Sequence, residues 1–345
     1  MADSKKNIAL VFGGKSAEHR VSILSARSVF NAVDKSRYSI IPFAISKEGK
    51  WMSEHDSFNI LDSDIMEAVS DSQEKIISCE IISRLQNDID AVFPVLHGPF
   101  GEDGRIQGFF EILDIPYVGC GLTSSAVGMD KEMMKKIFSY QNLPQTDYMV
   151  IRDYEFNKLD KKILFQKISK KLGLPFFVKP ANLGSSIGIS VVKHKGDFLG
   201  AFEEGFKYDK KIIVEKKVSG REIECAVLGS ADNIQVSSPG EIISKHSFYD
   251  YNAKYEDFST SLIIPAELEK NLYGQLKSAA EQAFKAIDGK GLARVDFFIE
   301  DGNILINEIN TMPGFTKYSM YPKLFEHDGI LYKDLISRLI EISFT

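Results

Sequence analysis

Four polar residues near the end of the chain have the types and spacing for phosphate chemistry. Arg294 and Asp296 alternate with apolar neighbours in Leu292-Ala293-Arg294-Val295-Asp296-Phe297-Phe298. In a strand they would project from one face. A turn at Asp301-Gly302 leads into Ile304-Leu305-Ile306-Asn307-Glu308-Ile309-Asn310, where Glu308 and Asn310 again share a face. Paired as a hairpin, the two segments bring Asp296, Glu308 and Asn310 together. These are hard oxygen donors with no His or Cys among them, which suits Mg²⁺. One carboxylate can serve two such ions in phosphoryl transfer. Arg294 beside them would offer a planar cation to a developing oxyanion. A salt-bridged hairpin face is the plainer reading of the same residues.

Four further stretches carry chemistry. Lys179-Pro180-Ala181-Asn182-Leu183-Gly184-Ser185-Ser186-Ile187-Gly188 lies between two apolar runs. Its Gly and Ser residues let backbone N–H groups approach an anion closely, and a phosphate would partner Lys179. A polar hairpin loop with a surface lysine fits equally. In Ile212 to Glu222, a strand delivers Glu215, a linker turns at Gly220, and Glu222 opens the next strand. That linker reads as an edge for an adenine and a ribose, or as a charged hinge. In Gly13-Gly14-Lys15-Ser16-Ala17-Glu18-His19, a Gly-rich turn follows a strand and precedes a helix. Glu18 there could hold an ammonium or stabilise its own helix. His97 opens a second Gly-rich loop, His97-Gly98-Pro99-Phe100-Gly101-Glu102-Asp103-Gly104. It reads as a ligand contact or as a structural histidine.

Two other motifs fail on spacing. Gly13-Gly14-Lys15-Ser16 resembles the end of a P-loop, but the required earlier glycine position holds Ala9. Gly119-Cys120-Gly121 begins like a dinucleotide fingerprint, but its third glycine position holds Ser124.

The elements that must position these residues follow from the apolar runs. Ile8–Phe12, Tyr38–Ile45 and Ile89–Leu96 read as strands, with a short one at Tyr117-Val118. Val21–Val33 and Arg105–Leu113 read as helices. That rhythm predicts an open, mostly parallel sheet over 1–121. Residues 54–88 are polar and irregular, with one helix expected. A second unit over 122–215 has helices at Lys131–Tyr140 and Leu164–Leu172 and strands at Phe176–Lys179, Ile189–Lys193 and Ile212–Glu215. A third, over 216–345, has strands at Glu222–Leu228, Leu292–Ile299 and Ile304–Ile309. Helices near Glu267–Ile287 and Leu331–Ile342 complete it, with a polar aromatic loop over 245–260 that reads as a lid.

The chain has 345 residues, 44% hydrophobic, 26% charged and a net charge of -6. Those proportions suit a soluble globular protein of two or three domains. The negative field argues against nucleic acid and anionic membranes as partners, so an anionic ligand needs a local basic cluster. No apolar run is long enough for a membrane span. The three cysteines are scattered, without metal spacing, which suits reduced thiols in the cytoplasm.

Taken in order and at their spacing, the five stretches resemble the D-alanine–D-alanine ligase family. Met129-Asp130-Lys131, Phe248-Tyr249-Asp250-Tyr251, Lys254-Tyr255 and Asn307 to Met320 extend the match over nearly the whole chain. The resemblance implies an α/β protein, α+β overall: an ATP-grasp fold behind an N-terminal parallel α/β domain. It implies an ATP-dependent ligase of peptidoglycan synthesis that joins two D-alanines through an acyl phosphate, with two Mg²⁺ or Mn²⁺ ions at Asp296, Glu308 and Asn310. It leaves a monovalent cation open and suggests a homodimer. Lys131 and Lys179 would hold ATP phosphates, with Ser185 and Ser186 in the same loop. Glu215, Lys216, Val218, Glu222, Phe248 and Asn307 would line the nucleotide site, and Lys254 would reach the γ-phosphate. Glu18 would bind the first ammonium, linked to Ser185 and Tyr255, and His97 would lie near the first carboxylate. Arg294 and the Gly314 backbone would stabilise the oxyanion, and Ser319 and Met320 would hold the second carboxylate. Arg20 departs from the family's usual acid at that position. Tyr255 favours a second D-alanine over D-lactate. A non-catalytic nucleotide-binding module is the reading from another class, and the intact acidic face argues against it.

Overall fold

The computed structural model describes residues 5–68, 76–230, 232–243 and 261–345. Phe248, Lys254, Tyr255 and the lid expected over 245–260 lie outside the described residues. Three sheets carry the site. The first contains β1 (Lys6–Gly13), β2 (Tyr38–Ile45) and β3 (Ala91–Val95), all parallel, in the order β2-β1-β3. Along β1 both faces are buried: Ile8, Leu10 and Phe12 enter one core, Ala9 and Val11 another. Helices cover both sides, which is why the strand reads as a continuous apolar run.

The second sheet is antiparallel: β4 (Tyr148–Arg152), β5 (Phe176–Pro180), β6 (Ser190–Val192) and β7 (Lys211–Lys216), ordered β4-β7-β5-β6. Along β5, Phe176, Val178 and Pro180 are buried, while Phe177 and Lys179 are half-exposed. The apolar set packs on helices Lys161–Leu172 and Phe198–Phe206, where Phe156 stacks on Phe202 at 4.7 Å between ring centres. Alternation therefore turns Lys179 to the opposite face, beside Phe177.

The third sheet is antiparallel: β8 (Arg221–Ser230), β9 (Asn233–Val236), β10 (Gly240–Ile243), β11 (Ser261–Ile263), β12 (Gly291–Glu300) and β13 (Asn303–Asn310). Its order is β11-β10-β8-β12-β13, with β9 also on β8. Helix Lys270–Ala286 buries Leu276, Ala280 and Phe284 against it. Met134 and Phe138, from helix Lys131–Tyr140, join the same core. A separate core ties this sheet to the first one through Ala226, Leu228, Leu292 and helix Tyr332–Ser343.

The structure corrects some of the local expectations. Tyr117-Val118 forms no strand, only an isolated bridge from Tyr117 to Val92. Residues 54–88 hold two helices, Glu54–Asp62 and Cys79–Asn87. Ser53 and Ser78 cap them by accepting from the N–H groups of Asp56 and Ile81. Helix Lys161–Leu172 starts earlier than its apolar pattern suggests, because Asp160 caps it. Among the described residues, no helix is long and apolar enough to cross a membrane.

Candidate active site

The β12–β13 hairpin sets Arg294 opposite Asn310 and Asp296 opposite Glu308. Both Asp296 oxygens accept from Arg294, each at 2.7 Å, and Asn310 Nδ2 donates to Asp296 Oδ2 at 2.9 Å. A register shift after Asp296 makes Asn307 an extra residue in β13. That bulge interrupts strict alternation, so Asn307 and Glu308 are both half-exposed. From β8, Glu224 lies opposite Asp296 and pairs with Arg294 at 3.0 Å. Burial alone would lower the Arg294 pKa, but Asp296 and Glu224 overcome it and hold the guanidinium charged.

Two lysines reach this face from other elements. Lys131, at the start of its helix, lies 3.6 Å from Glu308 and donates to the Leu183 carbonyl at 2.8 Å. Lys179 pairs with Glu215 and lies in the field of Glu308 and Glu222. Burial works against its charge; Glu215 reverses that and raises its pKa. Glu215 also pairs with the buried Lys135 at 2.8 Å. Burial pushes the Glu215 carboxyl up, but the two lysines outweigh this and hold it well below the usual carboxylate range.

The N-terminal loops form the other wall. A cavity of about 180 Å³ is lined by Ser16, Glu18, Phe100, Leu183, Gly184 and Ile187, among others. It joins the first sheet's loops to the loop after β5. Ser16 Oγ donates to the His97 carbonyl at 2.6 Å and accepts from the Glu18 N–H at 3.1 Å. Glu18 is buried, and its Oε2 lies so near Gly98 that a Cβ there would be 2.5 Å away. Arg20, two residues on, is exposed. His97 has both ring nitrogens engaged: Nδ1 with the Met312 carbonyl at 3.0 Å and Nε2 with Ser25 Oγ at 3.1 Å. Burial lowers its pKa, so the neutral ring donates from Nδ1 and accepts at Nε2. It thereby braces the first helix against the loop after β13. Burial, with Glu18 adding to it, raises the Glu102 carboxyl to about 8.

In the loop after β5, Ser185 and Ser186 adopt positive φ of 53° and 58°. Ser185 Oγ is buried and has no hydrogen-bond partner among the described residues. In the linker, Lys216 is exposed and Val218 and Glu222 are half-buried. Ser219 N–H donates to Glu300, which ties this linker to the end of β12. A Cβ on Gly220 would sit 2.2 Å from the Ile299 carbonyl, so only glycine fits that approach. Ser319 precedes helix Met320–His327 and accepts from the Thr316 N–H at 3.1 Å. Gly314 packs beside it, with a Cβ position 3.1 Å from Ser319 Oγ. The Met320 side chain is buried in the core. Only its backbone N–H, in the first helical turn, is left to meet a carboxylate.

Lys135 and Glu224 escaped the sequence reading. Lys135 falls four residues after Lys131, on the same helical face, and Glu224 alternates with Glu222 along β8. That periodicity was the available signal for both.

Two family models match the chain: the D-ala D-ala ligase N-terminus over residues 7–120 and the D-ala D-ala ligase C-terminus over residues 137–341. The chain belongs to the D-alanine–D-alanine ligase family. A D-alanine–D-alanine ligase of Halothermothrix orenii is 52% identical over 342 residues, covering 99% of this chain and 98% of that protein. One from Geobacillus thermodenitrificans is 46% identical, covering 98% and 95%. Among solved structures, the D-alanine–D-alanine ligase of Coxiella burnetii superposes with a TM-score of 0.80 at 31% identity, over 98% of this chain and 95% of that one. A D-Ala:D-Ser ligase of Enterococcus faecalis gives 0.81 at 34% identity, covering 99% and 100%. These neighbours place the ligase chain in the ATP-grasp fold.

Proposed function

We propose that the protein is an ATP-dependent D-alanine–D-alanine ligase serving peptidoglycan precursor synthesis. The observation that carries this is the face of Arg294, Asp296, Glu308 and Asn310, met by Lys131 at Glu308. In this reading one D-alanine carboxylate attacks the γ-phosphorus and ADP leaves. The amine of the second D-alanine then attacks the acyl carbon, and phosphate leaves with one carboxylate oxygen. Lys131 and Lys179 hold the phosphates, and Ser185 and Ser186 lie in the same loop. Glu215, Lys216, Val218, Glu222 and Asn307 line the nucleotide side. Glu18 takes the first ammonium. Arg294 and the Gly314 backbone meet the oxyanion, and Ser319 with the Met320 N–H meets the second carboxylate. Walls from three sheets exclude water from the acyl phosphate.

The donor set fits Mg²⁺. Among the described residues no group of three or more His, Cys, Asp and Glu side chains is placed to hold a metal ion by itself. The site offers two carboxylates and an amide, hard oxygens that leave room for waters and phosphate. Asp296, Glu308 and Asn310 would hold the ions, which when bound neutralise charge on the transferring phosphoryl group. We further propose a three-unit division at 1–121, 122–215 and 216–345, and a homodimer in the cytoplasm. The buried, unbridged Cys120 and Cys225 support a reducing compartment.

Fold similarity extends to a D-Ala:D-Ser ligase, whereas the 45–52% relatives all carry the D-alanine–D-alanine name. The test is phosphate release from ATP with D-alanine alone, and with D-alanine plus D-lactate or D-serine. Release with D-alanine alone is expected to dominate. Release only on adding D-lactate or D-serine would reassign the second substrate.

A further inference from the structure

We propose that Lys135 is a positioning residue for ATP: it keeps the buried Glu215 carboxylate paired while Lys179 turns to a phosphate. This rests on the ligase reading of the site. Glu215 is held from both sides. Lys135 Nζ lies 2.8 Å from its Oε1, and Lys179 takes Oε2. The two lysines differ in freedom. The Lys135 side chain is 1% exposed, and its ammonium also meets Thr146 Oγ1 at 3.3 Å. The Lys179 side chain is 14% exposed. Lys179 is the partner that can move, and Lys135 the one that cannot.

A phosphate that draws Lys179 away would leave a buried carboxylate alone, and an unpaired buried charge is strongly disfavoured. Lys135 removes that obstacle. Two cations on one anion also leave a surplus positive charge where a polyphosphate arrives. Without Lys135, Glu215 would hold Lys179 exclusively and compete with the nucleotide. The same contacts could form a static buried ion cluster with no part in binding, and the two cases separate experimentally.

The variant is Lys135→Met, read by ATP binding in calorimetry without D-alanine and by steady-state kinetics. Kd and KM for ATP should rise about tenfold, about 1.4 kcal/mol, with KM for D-alanine unchanged. Lys135→Arg keeps a cation beside Glu215 and should retain most of the ATP affinity that Lys135→Met loses. If Lys135→Met does not fold, Lys135→Gln, which keeps a donor without the charge, should show the same selective loss. Unchanged ATP affinity in Lys135→Met would overturn the proposal, as would equal losses for both substrates that Lys135→Arg does not reduce. A wild-type protein that binds no ATP would instead refute the ligase reading itself.

Discussion

Replacing Gly98 by alanine tests the role of Glu18 through geometry alone. Gly98 has φ +73°, and a Cβ there would lie 2.5 Å from Glu18 Oε2 and 3.3 Å from Ser16 Cβ. Its N–H donates to Glu102 Oε1 at 2.7 Å, which holds the backbone in place. The carboxylate must therefore retreat by about 1 Å, and a displacement of that size at a reacting site costs about 10²-fold. The left-handed backbone adds a stability cost of about 1–2 kcal/mol for a residue with a Cβ. Gly98→Ala should lower kcat/KM for D-alanine about 10²-fold, roughly 2.7 kcal/mol of transition-state stabilisation. The affinity for ATP, which the proposed reading assigns to Lys131 and Lys179, should not change. Coupled phosphate release gives the first quantity and calorimetric ATP binding the second. An unchanged kcat/KM for D-alanine would refute the placement of the ammonium at Glu18. A parallel loss of ATP affinity would show a general collapse of the loop.

Other perturbations probe separate parts of the account. Glu308→Gln should lower Mg²⁺-dependent turnover at least about 10²-fold while leaving the melting temperature near wild type, since Glu308 is half-exposed; turnover close to wild type would remove Glu308 from the metal set. Ser185→Ala deletes a hydroxyl without a partner among the described residues, so stability should hold while kcat falls, and a clear drop in melting temperature would point to a structural role. The Glu102 carboxyl is raised to about 8 in the fold, by burial first and then Glu18. The folded state therefore holds a proton that the unfolded chain releases near the ordinary carboxylate pKa, and stability falls as pH rises toward 8. Glu102→Gln should flatten that decline in melting temperature between pH 5 and about 8, and an unaltered slope would assign the decline elsewhere.

What the sequence disclosed follows local periodicity. Alternation along 292–310 placed Arg294, Asp296, Glu308 and Asn310 on one face, because two strands joined by Asp301-Gly302 can pair only with neighbouring register. The bulge that brings Asn307 out beside Glu308 is invisible to alternation. One helix was expected within 54–88 and two are present, capped by Ser53 and Ser78, where caps rather than apolar spacing define the ends. Tyr117-Val118 has strand composition but meets only one partner residue. Lys135 was harder to see: its burial depends on Glu215 from β7, and Thr146, neither adjacent in sequence. His97 was legible as a residue opening a Gly-rich loop. Its bracing contacts to Ser25 and Met312 come from distant segments.

The central claim is ligation of two D-alanines through an acyl phosphate. D-alanine labelled with ¹⁸O in its carboxylate, supplied with ATP and Mg²⁺, tests it in one reaction, read by mass spectrometry of the dipeptide and of the released phosphate. The account predicts D-alanyl-D-alanine and phosphate in equal amounts, each phosphate carrying one oxygen from the substrate carboxylate. Phosphate released without label, or without dipeptide, would contradict it.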